Sequence, residues 1–408
     1  MNHISRRKLT IIKGLVVGMA ITFLYFNAKA VNIAYHKDIT VIAAIKEQIT
    51  RQQLNYPHSV ERFYKLKAYQ MAWIAPDTIK MHALDAMLLL DCVLQYGFDH
   101  QDYHPRELIY DQLHNITELN SKAGIKEKAS FDVLLTDAMI TFINNLHYGK
   151  LNAEFPAVKI DQADQKNLSA AHWLVNAMSD RNFMPALLSV QPKSKVYRDL
   201  QSMMRLITGQ YIGDCYEVPA GQIRQIAVNM ERLRWSNNES DNYITINVPS
   251  SSLWYYNDGD IDRFKVDLQL PLTLLPKAET TLVALCTGTQ FSIQQRKIDA
   301  GKGLLILDFQ NDFHSYFPIG DNTHVYVKHG ERLSDLILYN DGSANKIKSL
   351  FQAMRAGIHK KFKLKTPVPV KIIYITCEMK EGVLVQYPDT YRLDNALANA
   401  LYHLKKYN

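Results

Sequence analysis

Ser343 stands in the stretch LILYNDGSANKIKSLF, Leu336 to Phe351, two residues after Asp341 and directly behind Gly342. A serine hydroxyl performs acyl transfer when a base lies within hydrogen-bond reach, and His324 and His329 occupy the run THVYVKH just upstream. The triplet has a second reading. Asp341-Gly342-Ser343 precedes Ile347, Leu350, Phe351 and Met354, an apolar series at helical spacing, so Ser343 also fits the N-cap of a helix from Ser343 to about His359. The cap is the stronger reading of the two.

The remaining reactive side chains form no constellation. Cys92, Cys215, Cys286 and Cys377 lie far apart without Cys-x-x-Cys spacing, which argues against a zinc ribbon or a redox motif. In an exported chain they could form one or two disulfides, and the sequence leaves the pairing open. Cys92 falls in a helical pattern and Cys286 and Cys377 in strand-like runs, the settings of buried structural thiols. Cys215, in YIGDCYEVPAG, sits in a turn beside Asp214 and Glu217, whose charges discourage a thiolate. His314, His324 and His329 show no i,i+4 pair and no His-Glu-x-x-His spacing, so no metal site is expected, and nothing calls for a cofactor.

These residues must be positioned by two kinds of element. Ala83, Met87, Leu90 and Leu94 define one face of a helix ending near Gly97. Leu135, Ala138, Met139, Phe142, Ile143 and Leu146 define a second, which stops at Gly149 as a C-cap. Residues 168–210 give further helices, broken by Pro185 and Pro192. After Trp235 the pattern changes. NYITINVPSSSLWYYNDG alternates and closes on Asn257-Asp258-Gly259, a strong hairpin signal. The runs FKVDLQL, TTLVALC, GLLILDF, THVYVKH and VPVKIIYITCE follow as strands, with a last helix from Leu393 to about Lys406. The basic run HKKFKLK, from His359, reads as a solvated helix end.

The 408 residues, 47% hydrophobic and 21% charged, suit a folded chain of about two domains. The formal net charge of +7 is misleading. Arg6, Arg7, Lys8, Lys13 and Lys29 all precede Val31, where no acidic residue occurs; beyond them 42 basic residues face 40 acidic ones, a net +2. No nucleic-acid footprint remains. The order of that segment, basic residues, an apolar run from Ile11 to Phe26, then Ala28-Lys29-Ala30, is that of a secretory signal. The other reading is an uncleaved membrane anchor, for which the run is short and interrupted by Lys13.

Several stretches resemble, in order, the periplasmic L,D-transpeptidases built from a helical scaffold domain and a YkuD-type catalytic domain. They are FYKLKAYQMAWIAPD, YGFDHQDYH, DVLLTDAMITFINNLHYGKL, RQIAVNMERLRW, ITINVPSSSLWYYNDG and TPVPVKIIYITCEMKEGVLVQYPDTYRLDNAL. The resemblance implies an α+β protein. Residues 1–30 are a signal peptide or N-terminal anchor and 31–55 a polar lead-in. Residues 56–235 are the helical scaffold domain, and 236–408 the β-rich L,D-transpeptidase-like domain. It further implies a periplasmic location and a partner in peptidoglycan or an envelope protein complex, with membrane contact only through an uncleaved N-terminus.

Enzymes of this family cross-link peptidoglycan stems through a cysteine thiolate, a histidine base and backbone oxyanion donors. On this sequence the histidine position falls on Lys328, and the His-Gly-Cys positions on Asp341, Gly342 and Ser343. The arginine position falls on Asn345. Gly342 survives; the nucleophile, base and arginine do not. The chain also leaves no room before Arg224 for the small peptidoglycan-binding insertion, and TGTQFSIQQRKIDAG replaces the capping segment. The resemblance therefore implies a pseudoenzyme, with no residue assigned as catalytic. The alternative is a divergent transpeptidase using Ser343 or an unexpected thiol, and a hydrolase reusing the same domain has no constellation to support it.

Overall fold

The computed structural model describes residues 39–74, 80–118, 121–162, 168–209, 221–235, 242–257, 260–265, 267–268, 279–286, 290–293, 296–299, 304–309, 313–318, 323–329, 332–338 and 363–403. The N-terminal segment before residue 39 lies outside them, as do Cys215 and the helix expected from Ser343. The chain divides into two units. One takes residues up to Leu90 with Gln101–Ile143 and Ala157–Leu187; the other takes Asp91–His100, Asn144–Pro156 and Leu188–Asn408.

The first unit is helical. It holds α1 (residues 39–51), α2 (Pro57–Leu66), α3 (Lys80–Asp91), α4 (Tyr110–Thr117), α6 (Ala157–Gln162), α7 (Ala170–Ser179) and α8 (Phe183–Leu188), with most of α5 (Ile125–Tyr148). The expected α5 stripe of Leu135, Ala138, Met139, Phe142 and Ile143 is buried, but so is every residue from Phe131 to Leu146, polar ones included, so the helix is enclosed all round rather than on one face. Around it Trp73 meets Phe183 edge-on with ring centroids 6.0 Å apart, and Tyr103 meets Phe142 at 6.1 Å. Pro185 does not break a helix. It lies in the first turn of α8, where a missing N–H costs nothing.

In the second unit the α-helical part of the stripe ends at Asp91, and a short 3-10 turn, Val93–Tyr96, carries the chain to Gly97. Gly97 has φ 75, and a Cβ there would lie 2.9 Å from Cβ of Ala227, so the left-handed turn and a close approach both require glycine. Gly149, after α5, has φ 86 and the same constraint from Glu231 and Trp235. Among the described residues α9 (Lys195–Gly209) and α10 (Gly221–Trp235) follow, then fourteen strands and α11 (Leu393–Leu401).

Among the described residues ten strands form one sheet in the order β3 (Asp260–Lys265), β2 (Ser252–Asn257), β1 (Asn242–Asn247), β12 (Lys363–Ile373), β5 (Glu279–Cys286), β8 (Leu304–Phe309), β9 (Phe313–Pro318), β10 (Thr323–His329), β11 (Arg332–Leu338) and β4 (Asp267–Leu268). In it β1 (Asn242–Asn247) runs parallel to β12 (Lys363–Ile373), and its other ladders are antiparallel. β2 and β3 pair antiparallel with Asn257 opposite Asp260; Asp258 and Gly259, where the sequence places the turn, lie outside the described residues. A tight turn joins β13 (Cys377–Lys380) to β14 (Val383–Gln386) through Glu381 and Gly382, both with positive φ. The basic run from His359 is partly strand, because β12 begins at Lys363. Pro367 falls where the register against β5 shifts, between Lys363 and Val368, whereas Pro369 stands in the regular ladder opposite Thr281. The resulting architecture is mixed α+β. The core of this unit joins α9 and α10 to Trp254, Ile373, Ile375, Cys377 and Leu401.

Candidate functional site

Of the positions singled out by sequence, Lys328 lies on β10 (Thr323–His329), facing Leu333 of β11 (Arg332–Leu338) across the ladder. His324 pairs with Ile337, and His329 pairs with Arg332 where the hairpin turns. His314 lies on β9 (Phe313–Pro318), in register with Asp308 of β8 (Leu304–Phe309). Asp341, Gly342, Ser343 and Asn345 lie outside the described residues.

The thiol alternative can be examined at Cys377, the first residue of β13. Its side chain is fully buried. Asn229 of α10 donates its amide to Sγ at 3.2 Å and to Thr376 Oγ1 at 2.9 Å, while Thr376 N–H donates back to Asn229 Oδ1 at 2.7 Å. Burial, with the nearby Asp394 carboxylate, pushes the thiol up to about 12. Such a group stays protonated and shielded at neutral pH. It is a structural thiol, not a nucleophile.

The helix that holds Cys377 also organises most of the polar chemistry around it. Along α10, Asn229 binds Thr376; Arg232 Nη1 donates to Asp394 Oδ1 at 2.6 Å. Glu231 accepts from Leu151 N–H at 2.6 Å and from Trp235 Nε1 at 3.0 Å. Arg234, fully buried, donates to the Tyr96 carbonyl at 2.5 Å, to Tyr197 Oη at 3.0 Å and to Glu231 Oε2 at 3.2 Å. Its guanidinium also lies 4.3 Å from the Phe98 ring centroid. Burial opposes that charge, but Tyr197 and Glu231 outweigh it and hold the guanidinium firmly protonated. Asp394 also accepts from Thr376 Oγ1 at 2.6 Å. Asp389 accepts the first N–H groups of α11, Leu393 and Asp394, at 2.9 Å each.

In the first unit the polar chemistry rests on three aspartates. Asp132 accepts Tyr64 Oη at 2.6 Å, Ala72 N–H at 2.9 Å, Trp73 N–H at 2.8 Å and Ile74 N–H at 3.1 Å. Burial pushes its carboxyl upward against those donors, and burial with the Asp132 charge pushes the Tyr64 phenol well above its ordinary value. The start of α2 has no side-chain cap from Tyr56. Asp137 instead accepts the N–H groups of Asn55 and Tyr56 at 2.9 Å each, and Asp161 accepts those of His58 and Ser59 at 3.1 and 2.7 Å. Pro57 has no N–H to satisfy. His104 Nε2 lies 2.7 Å from Asp137 Oδ2.

None of these aspartates was a site candidate from sequence, although Asp132 and Asp137 interrupt the apolar run of α5, which is the available signal. Among the described residues no group of three metal-ligating side chains occurs, and no helix is long and apolar enough to cross a membrane. Residues 58–204 match the family model described as the Scaffold domain. This stretch is a scaffold domain, and it contains all three aspartates. No curated protein matches the chain.

Proposed function

We propose that this chain is an exported cell-envelope protein related to the L,D-transpeptidases, a pseudoenzyme that binds peptidoglycan or an envelope complex rather than cross-linking stems. The scaffold domain at residues 58–204 supports the relationship, as do the ordered motif resemblances on both sides of Trp235. The expected cross-linking chemistry needs a thiolate to attack the carbonyl between the third and fourth stem residues, forming an acyl-enzyme that a neighbouring amine resolves. The observation that carries the inactive reading is the state of Cys377. This thiol is buried, bonded to Asn229 and held protonated, so it supplies no replacement for the cysteine missing from the stretch around Ser343. Lys328 and Asn345, at the positions of the family's base and arginine, are side chains that hold a carboxylate or a sugar through hydrogen bonds without performing chemistry.

Intact-mass measurement after incubation with a carbapenem tests the reading directly. The expected result is an unmodified chain, together with no new third-position cross-links in isolated muropeptides. An acyl adduct at Ser343 or at any cysteine would establish the divergent transpeptidase instead.

A further inference from the structure

Helix α9 carries two different stripes. Val196, Tyr197, Leu200 and Met204 are buried in the core of its unit, and Met203 and Ile207 pack against that core. Arg198, Ser202, Arg205 and Leu206 are all exposed, Leu206 by 63%. Their spacing, i, i+4, i+7 and i+8, puts these four on one outward face. The two arginines stand seven residues apart on it, about 10 Å along the axis at a rise of about 1.5 Å per residue.

The charge of this face is uncompensated. Asp199, the single acidic residue of the helix, is taken by Lys195, whose Nζ lies 2.5 Å from its Oδ2. Among the described residues the guanidinium groups of Arg198 and Arg205 make no hydrogen bond and no ion pair. Arg205 acts electrostatically on the Tyr96 phenol, but burial pushes that phenol up to about 12, so it stays neutral and offers no counter-charge. A guanidinium keeps its charge at any physiological pH and presents a planar fork that takes a carboxylate at two points. Two forks are too few for an anionic lipid surface, which calls for a cluster of about four to eight cations. Leu206 beside them suits a ligand that brings aliphatic groups as well as charge. We infer that this face of α9 is a carboxylate-binding surface for peptidoglycan stem peptides, in which Arg198 and Arg205 each hold one carboxylate and Leu206 packs on an aliphatic group of the same peptide. This rests on the reading of the chain as peptidoglycan-associated, and names residues other than the degenerate positions.

Calorimetric titration of the full chain with a soluble disaccharide-tetrapeptide muropeptide, and with the same muropeptide after amidation of its carboxylates, tests the inference. Amidation should weaken binding about tenfold, and so should Arg198→Gln combined with Arg205→Gln. Both positions are exposed, so the thermal transition of that double variant should not move. Arg198→Lys combined with Arg205→Lys keeps the charge but loses the forks, and should weaken binding about threefold. Equal affinity for the free and amidated muropeptides, or wild-type affinity in the double glutamine variant, overturns the inference. Sedimentation with isolated sacculi separates it from the wider reading. If wild type and the double glutamine variant sediment equally, this surface fails and the peptidoglycan reading stands. If wild type neither binds the muropeptide nor sediments, yet holds poly-L-glutamate through both arginines, the stem peptide is overturned as the ligand and the peptidoglycan reading falls with it.

Discussion

The two units differ in which means of burying polar groups predominates. In the first, Asp132, Asp137 and Asp161 each gather backbone N–H donors from another stretch of chain: 72–74, 55–56 and 58–59 respectively. In the second, α10 presents Glu231, Arg232 and Arg234, whose charges are matched by other ionised side chains, as in Glu231–Arg234 and Arg232–Asp394. A carboxylate that collects N–H groups fixes the path of a loop. A paired ion fixes the distance between two elements but leaves a costly charge if its partner is lost. The first arrangement suits a scaffold whose connections must be held in shape, the second a core assembled from distant segments.

The largest test of this contrast is Asp132→Ala, which strips acceptors from two fully buried N–H groups, Ala72 and Trp73, and from the Tyr64 phenol. Urea unfolding should show a loss of about 3–5 kcal/mol. A loss below 1 kcal/mol would mean that the carboxylate is not what holds residues 72–74. Glu231→Gln sharpens the other side. The amide still accepts from Leu151 and Trp235 but leaves Arg234 without its counter-charge, for an expected loss of about 2–4 kcal/mol. A neutral result would show that Tyr197 and the Tyr96 carbonyl suffice.

Cys377 offers a third test, through pH. Its thiol is raised from an ordinary 9.0 to about 12, so the folded state binds the proton more tightly than the unfolded chain. That contribution is complete below pH 9 and is lost as pH climbs towards 12. Over that window wild type should lose stability more steeply than Cys377→Ala, compared by urea midpoints; parallel slopes would refute the burial argument. The smallest expected effect is at Ala68, whose φ of 49 follows the end of α2. Ala68→Gly should stabilise the chain by about 0.5 kcal/mol, the relief of left-handed strain less the extra entropy of an unfolded glycine. A loss of stability there would show that the turn at 67–70 needs the alanine methyl.

What the sequence disclosed followed from local pattern. The α5 helix, the antiparallel β2–β3 pairing next to Asn257 and the change of character near Trp235 each depend on residues close together in the chain. The partners of Asp132 and Asp161 do not. Tyr64 is sixty-eight positions from Asp132, and no periodicity announces which loop a buried carboxylate will collect. The strand β9 was missed because FHSYFP lacks alternation and contains a proline, and β11 because RLSDLIL mixes charge into its first half. Tertiary pairing, not propensity, makes them strands. On α10, Asn229, Glu231, Arg232 and Arg234 are residue types that usually face solvent, yet all four are buried, and Nε of Arg234 has no partner among the described residues. Among the degenerate site positions only Lys328 belongs to a described element, β10, where it pairs with Leu333.

The parallel ladder between β1 and β12 bears on the order of assembly. β12 occupies the middle of the sheet, between β1 on one side and β5 on the other, yet it is the last of the ten strands to leave the ribosome. A nascent chain can close the β1–β2–β3 meander early, but that meander and the β5–β8 ladder keep facing edges unpaired until Lys363–Ile373 arrives. Closing the sheet therefore requires long-range loop closure late in folding, which is slow, and a chain truncated before Lys363 would carry two bare strand edges prone to intermolecular pairing.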